Sequence, residues 1–364
     1  MTIRAAVIPG PGEPVTLTEL PVPPLEPGAA LLRTRYSEVC GTDVHLQHGR
    51  LAGVPYPLVP GHVSVGHIEA LRAPLADIHG LPFREGDLVT FLDVHGTCHR
   101  CYQCLVAKQP TRCPSRRVYG ITYGASDGPL GGWAERIWLK PGTQLIRLPE
   151  ELAPETFIGG GCGLVTALHA LDRADLRLEQ SVAVLGAGPV GQSIAALARL
   201  SGAGEVIVVG APDDRLAFAR RMGASVTLGL DRSPAEREAL VRDTTSGHGA
   251  DVVVEASGAP DAVAQALDLA RDGGRVVICG HYTDNGPVEV HPHLQINRKH
   301  LEIRGVWGSE YAHFHRAVAL AARHGDRIPW RDMVGRVYGL DEADQALTAV
   351  ARRSVLKALI APRL

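Results

Sequence analysis

The chain has 364 residues, enough for two domains of ordinary size with separate cores. Its 45% hydrophobic and 21% charged residues are those of a soluble globular protein. A formal net charge of −2 and the absence of any apolar run near the roughly 20 residues of a membrane span argue against nucleic-acid and membrane partners.

The opening segment, "MTIRAAVIPGPGEP", meets proline before it can build the apolar core of a signal peptide, so a cytoplasmic protein is expected. In that compartment thiols stay reduced, and clustered cysteines favour metal over disulfides. Up to about residue 150 the chain reads as short strands, "RAAVI" (4–8), "AALLRTRYS" (29–37) and "DLVTFLDV" (87–94), broken by turn signals such as "PVPPLEPG" and "YPLVPGH". That pattern predicts a mostly β domain with long loops.

Within this region "GTCHRCYQCLVAKQPTRC" places Cys98, Cys101 and Cys104 in C-x2-C-x2-C spacing, with Cys113 following. Four thiolates so spaced close a tetrahedral zinc site and leave no open position for substrate, so the cluster is predicted to pin a loop rather than to do chemistry. His99, between two of these cysteines, is expected at the surface. Three further cysteines stand apart: Cys40 in "EVCGTDVH", Cys162 in "GGGCGLVTALHAL" and Cys279 in "RVVICGHY". An open catalytic zinc needs ligands such as two Cys and one His from distant segments, and His62 in "YPLVPGHVSVG" is the natural histidine. Read singly, each is as well explained as a buried Cys or a satisfied core His.

From near Leu152 to Gly305 the texture changes to alternating apolar strands and Ala/Leu-rich helices: "SVAVLG", "VGQSIAALARLSG", "EVIVVG", "DDRLAFARRMGA", then "ADVVVEASG", "PDAVAQALDLARDGG", "RVVICG" and "LEIRGVW". This predicts a doubly wound parallel sheet covered on both faces. Gly186, Gly188 and Gly191, with Pro189 and Val190 between them, form G-x-G-x-x-G between a strand and a helix. There the backbone can approach a pyrophosphate and the helix N-terminus can bind it. The second strand ends at Gly210, where an acidic residue would normally bind the ribose of NAD. Arg215 offers a charge for the 2′-phosphate of NADP, while Asp213 and Asp214 offset it, giving a slight lean to NAD. The tail reads as helices "HFHRAVALAARHG" and "DEADQALTAV" and a strand "KALIAP".

Taken in order, "CGTDVH", "PGH", the four-cysteine lobe, "GCGLVTALHAL", "GAGPVG", "GADVVVEASG" and "GGRVVICG" resemble the zinc-dependent alcohol dehydrogenases of the medium-chain dehydrogenase/reductase superfamily over nearly the whole length. The resemblance implies an α/β protein with a GroES-like, mostly β catalytic domain (1–163 and 307–364) and a Rossmann dinucleotide-binding domain (164–306). It implies two zinc ions per chain, a catalytic one on Cys40, His62 and Cys162 and a structural one on Cys98, Cys101, Cys104 and Cys113. Thr42 and His45 become a proton relay, and Asp43 is expected to accept from the far ring nitrogen of His62 and fix its tautomer. Thr166 is expected beside the nicotinamide, and Leu51, Val94, His95 and Trp307, with Tyr311 near, are expected to line the substrate pocket.

The activity so implied is hydride transfer between a secondary or cyclic alcohol and NAD(P)+, in a homodimer or homotetramer. A non-catalytic zinc-binding scaffold and a polyol- or threonine-type dehydrogenase are the alternatives. Two departures are local. Many relatives carry Glu directly after the zinc histidine, as an alternative ligand, where this chain has Val63; and the interval from Cys104 to Cys113 is one residue longer than the common form.

Overall fold

The computed structural model describes residues 2–363. The chain divides into two compact units. The stretch up to Cys162, with Ser309–Gly325 and the segment from Trp330 onward, forms the first; Gly163–Gly308 with Asp326–Pro329 forms the second.

In the first unit the strand Ala30–Val39 is the organising element. Seven of its ten residues are buried, and Arg33 and Arg35 reach the surface in its middle, where the side chains alternate between the two faces. It runs antiparallel to Ser64–Leu71, to Arg136–Leu139 and to the C-terminal strand Lys357–Ile360, within a seven-stranded sheet. This pairing carries the end of the chain to the segment that leads into Cys40. Trp133, Phe91 and Tyr119 are fully buried, and the indole of Trp133 donates to the carbonyl of Glu38. The predicted strand over 87–94 is two shorter pieces, Leu88–Phe91 and Val94–His95. The second pairs with Arg117–Val118 to close the base of the four-cysteine loop.

The second unit is a six-stranded sheet with every pairing parallel, in the spatial order Val226–Gly229, Val206–Gly210, Val182–Leu185, Ala250–Glu255, Ala270–Ile278 and Glu302–Gly305. Numbered along the chain this is 3-2-1-4-5-6, the doubly wound order, with its switch point between Val182–Leu185 and Ala250–Glu255. The fold is therefore α/β, a mostly β unit and a doubly wound one. Helices Pro189–Leu200, Asp213–Arg221 and Pro260–Leu269 fall within the predicted helical runs. The third stops at Leu269 rather than running to Gly274. Ala270 is already extended and pairs with Ala250, so sheet pairing overrides the helical composition of "ARDGG". In the tail, helices Tyr311–His324 and Ala343–Ala351 and the strand Lys357–Ile360 form as the sequence suggested. Among the described residues no helix is long and apolar enough to cross a membrane.

Candidate metal centres and dinucleotide site

Cys40 ends the strand Ala30–Val39 and caps the helix Gly41–Gln47. Its Sγ accepts from the Thr42 N–H at 3.3 Å, and the Asp43 carboxylate returns to the Cys40 N–H at 2.9 Å. The same sulfur lies 3.9 Å from His62 Nε2. Cys162 arrives from the helical segment Pro154–Ala174, which breaks at Gly161, where the backbone enters the left-handed region with φ 46°. Cys40, His62 and Cys162 thus come from three separate segments, and their ligand atoms all lie within 4.8 Å of one another. None is in a disulfide.

Two soft thiols and an imidazole, largely withdrawn from water, are a donor set suited to zinc. The hydrogen bond from Cys162, aided by the charge of His62, holds the Cys40 thiol well below its ordinary range despite burial. Burial opposes charge on His62, but the Cys40 thiolate beside it outweighs burial and lifts the imidazole to about 10.

Asp43 does not do what was expected of it. Its two carboxylate oxygens accept from the backbone N–H groups of Cys40 (2.9 Å) and Gly61 (3.4 Å), while His62 Nδ1 is buried with no hydrogen-bond partner. The carboxylate therefore fixes the two loops that carry Cys40 and His62, and the ring nitrogen lies outside its hydrogen bonds. A second buried carboxylate that sequence reading passed over, Asp93, also faces His62. Burial raises its carboxyl against the pull of His62 and Arg116, and its Oδ1 has no partner.

Thr42 and His45 are both half-buried and lie three residues apart, on one face of the short helix. Burial, then the charge of Arg50, keeps His45 below the ordinary imidazole value, and its Nδ1 is enclosed without a partner.

Sequence reading also missed the group behind Cys162. Glu38 and Lys357 form an ion pair at 2.7 Å with side chains 2% and 0% exposed. Their strands are antiparallel neighbours, and Lys357 stands two residues before Leu359, the register partner of Glu38, so the two meet diagonally on one face. No local sequence signal marks this pair, because its members lie at opposite ends of the chain.

In the lobe, sulfur–sulfur separations are 3.6 Å (Cys101–Cys104), 3.9 Å (Cys101–Cys113) and 3.5 Å (Cys98–Cys113). A tetrahedron with metal–sulfur bonds of ~2.3 Å has edges of ~3.8 Å, so the four thiols fit a closed zinc site. Between Cys104 and Cys113 the chain forms a loop and the short 3-10 turn Pro110–Arg112. Cys279 is buried with its thiol pushed up by burial and donating to the Glu255 carbonyl, an ordinary packed position.

The dinucleotide motif occupies the turn between Val182–Leu185 and Pro189–Leu200, at the switch point. Gly186 has φ 125°, and a Cβ on Gly191 would overlap the Gly186 carbonyl, so both are dictated by the turn. Gly188 differs: a Cβ there would meet nothing within 4 Å, leaving open space beside the free N–H groups of the helix start, as a pyrophosphate requires. Pro189 and Val190 begin that helix. At Gly210 a Cβ would stand 2.8 Å from the Ala187 Cβ, so this strand end packs directly on the glycine turn. Asp213 and Asp214 open the next helix ahead of Arg215.

The residues expected to line the substrate pocket have mixed surroundings. Leu51 packs on the cluster of Ile8, Leu46 and Leu58, and Val94 is buried in its ribbon. Both ring nitrogens of His95 are engaged, Nδ1 with the Tyr123 hydroxyl (2.6 Å) and Nε2 with the Pro141 carbonyl (3.1 Å). Tyr311 donates to the Leu145 carbonyl. Within the second unit, Trp307 stacks on Tyr282 and donates to its carbonyl, and Thr166 sits one helical turn beyond Cys162.

Comparison with known proteins gives matches in both units. Residues 26–150 match the alcohol dehydrogenase GroES-like domain and residues 189–323 the zinc-binding dehydrogenase domain. The 5-exo-hydroxycamphor dehydrogenase of Pseudomonas putida is 34% identical over 345 residues, covering 94% of each chain. Among solved structures, an alcohol dehydrogenase from Thermotoga maritima superposes with a TM-score of 0.94 at 30% identity, covering 99% of each chain. A protein from Sinorhizobium meliloti 1021 bound to NADP gives 0.87 at 28%, with 100% of each covered.

Proposed function

The chain belongs to the zinc-dependent alcohol dehydrogenase family of the medium-chain dehydrogenase/reductase superfamily, and from that premise we propose that Cys40, His62 and Cys162 hold a catalytic zinc ion and Cys98, Cys101, Cys104 and Cys113 a structural one. The protein is an oxidoreductase that interconverts an alcohol and its carbonyl compound with NAD(P). The observation that carries the site assignment is the meeting of Cys40, His62 and Cys162 from three distant segments.

When bound, zinc supplies Lewis acidity to the alcohol oxygen, and the dinucleotide supplies the hydride acceptor. The chain's own residues then manage orientation and the proton. Cys40 and His62 are held in register by the Asp43 carboxylate through the backbone N–H groups of Cys40 and Gly61. The Thr42 hydroxyl would hydrogen-bond the alcohol and take its proton while giving up its own, and His45, held below the ordinary imidazole value by burial, would pass that proton to solvent by way of the nicotinamide ribose. Gly186, Gly188 and Gly191 bring backbone N–H groups to the pyrophosphate, Gly210 and Arg215 lie towards the adenosine, and Thr166 packs beside the nicotinamide.

NAD is the favoured cofactor in this reading, because Asp213 and Asp214 at the helix start repel an added phosphate. The substrate is a secondary alcohol on a cyclic, largely apolar skeleton. Within the first unit Leu51 and Val94 supply apolar surface and His95 acts as a fixed wall, and a relative is named for a hydroxylated camphor. A cytoplasmic homodimer or homotetramer fits the edge strand Glu302–Gly305, which is paired on one side only and carries exposed Ile303.

The test is elemental analysis of zinc per chain on protein purified without chelator, followed by assay of cyclic secondary alcohols with NAD and NADP. Two ions in the wild type, one in Cys40→Ala and no turnover in that variant are expected. A single ion, still present in Cys40→Ala, would overturn the catalytic zinc assignment.

A further inference from the structure

The break at Gly161 interrupts a helix beside the candidate metal ligands, and a break leaves carbonyls without donors before it and N–H groups without acceptors after it. Here the stranded groups are met by the buried ion pair. Lys357 Nζ donates to the carbonyls of Gly160 (3.0 Å) and Ile158 (3.4 Å) and to Glu38 Oε1 (2.7 Å), which uses all three of its protons. The other carboxylate oxygen, Glu38 Oε2, accepts from the Cys162 N–H at 2.7 Å. A Cβ at position 161 would overlap Glu38 Oε2, so glycine is needed for the pair to reach into the break. Each member therefore closes one end of the interruption, Lys357 the outgoing helix and Glu38 the incoming one.

The residue whose N–H Glu38 holds is Cys162 itself, and Glu38 donates its own N–H to the carbonyl of Val63, next to His62. It is also two residues from Cys40. One buried residue is thus bonded through its carboxylate to Cys162, through its main chain to the neighbour of His62, and lies within two residues of Cys40. Val63, which accepts that main-chain bond, is aliphatic and buried, and the Glu38 carboxylate is buried too.

We propose that Glu38, locked by Lys357, is the positioning residue for Cys162, and that the pair sets how tightly the Cys40–His62–Cys162 site retains zinc. The proposal rests on the reading of that triad as a zinc site. It predicts an effect confined to one of two metal centres, which a general contribution to stability would not produce.

The experiment is zinc release to a chromogenic chelator from the full-length wild type, Glu38→Gln, Glu38→Gln/Lys357→Met and Cys40→Ala, the last marking the ion of the four-cysteine lobe. In Glu38→Gln one ion should leave about 10–100-fold faster than in the wild type, as for loss of an outer partner of a metal ligand. The other should leave at the rate seen in Cys40→Ala. The double variant removes both buried charges at once, and so remains folded if an unpaired Lys357 prevents the single variant from folding; it should show the same selective loss. Two ions released at wild-type rates from these variants, whatever their melting temperatures, would overturn the positioning role alone. A wild type holding one ion that Cys40→Ala keeps would overturn the zinc reading, and this proposal with it.

Discussion

Cys40 shows how much one position can carry. Its sulfur caps a helix through the Thr42 N–H, faces His62 and Cys162, and sits beside a carboxylate that clamps its own backbone. The sequence string "CGTDVH" announces the cysteine, the hydroxyl and the imidazole, but not the partner of the carboxylate, because "D" three residues after a cap is equally a capping-box residue and a metal-site residue. Only the position of Gly61 decided it. The separation of roles leads to a prediction at Thr42. Its backbone N–H supports the Cys40 sulfur alongside its hydroxyl and survives the substitution, so Thr42→Ala should keep both zinc ions while turnover falls about 10²–10⁴-fold, the usual contribution of a proton-transfer group. Steady-state kinetics with parallel metal analysis would test this, and near-normal turnover would remove Thr42 from the relay.

Among the elements, the strand–turn–helix around Gly186 was legible because each glycine answers a distinct local demand and the flanking periodicities are strong. The structure separates those demands. Gly191 touches the Gly186 carbonyl, whereas Gly188 faces open space with an ordinary φ of −81°. Gly191→Ala should therefore lower both the melting temperature and dinucleotide affinity. Gly188→Ala should leave melting unchanged and weaken NADH or NADPH binding by about tenfold, ~1.4 kcal/mol. Fluorescence titration beside thermal melts distinguishes the two, and undiminished affinity in Gly188→Ala would mean that the cofactor does not use this turn. The helix broken at Gly161 was not legible: "GGGCGL" reads as flexible, and the groups that make the break rigid are supplied by strands far away in sequence.

Over the whole molecule, stability depends on contacts that tie distant segments together. In the second unit Asp251 accepts from the N–H (2.8 Å) and hydroxyl (2.7 Å) of Ser181 and from Arg271 (2.7 Å), joining the starts of two central strands to the segment after a helix. Burial works against this carboxylate, but the Ser181 N–H and Arg271 outweigh it and hold Asp251 below the usual value of 3.8. A depressed acid stabilises the folded state above its unfolded value, and the contribution disappears as pH falls through the folded one. Asp251→Asn should cost about 2 kcal/mol at pH 7. The gap from wild type should narrow as pH falls from 7 to below the ordinary value of 3.8, and close once the wild-type carboxyl is protonated too. Denaturant titrations at both pH values would test this, and a gap of constant size would mean that charge at Asp251 is not involved.

What the sequence determined by itself were the features written in short-range spacing. These are the four-cysteine staple, the glycine turn between an apolar strand and a helix, and the alternation that makes a parallel sheet. Each follows from backbone geometry over a few residues, so its chemistry is visible before folding. The tertiary structure alone decided what lies across long separations: that Cys40, His62 and Cys162 meet, that Asp43 serves backbone rather than ring, and that Glu38 and Lys357 close the gap at Gly161. The physical reason is burial. A charged or polar group removed from water must find its partner wherever the packed interior supplies one, and that location is a property of strand pairing rather than of neighbouring letters.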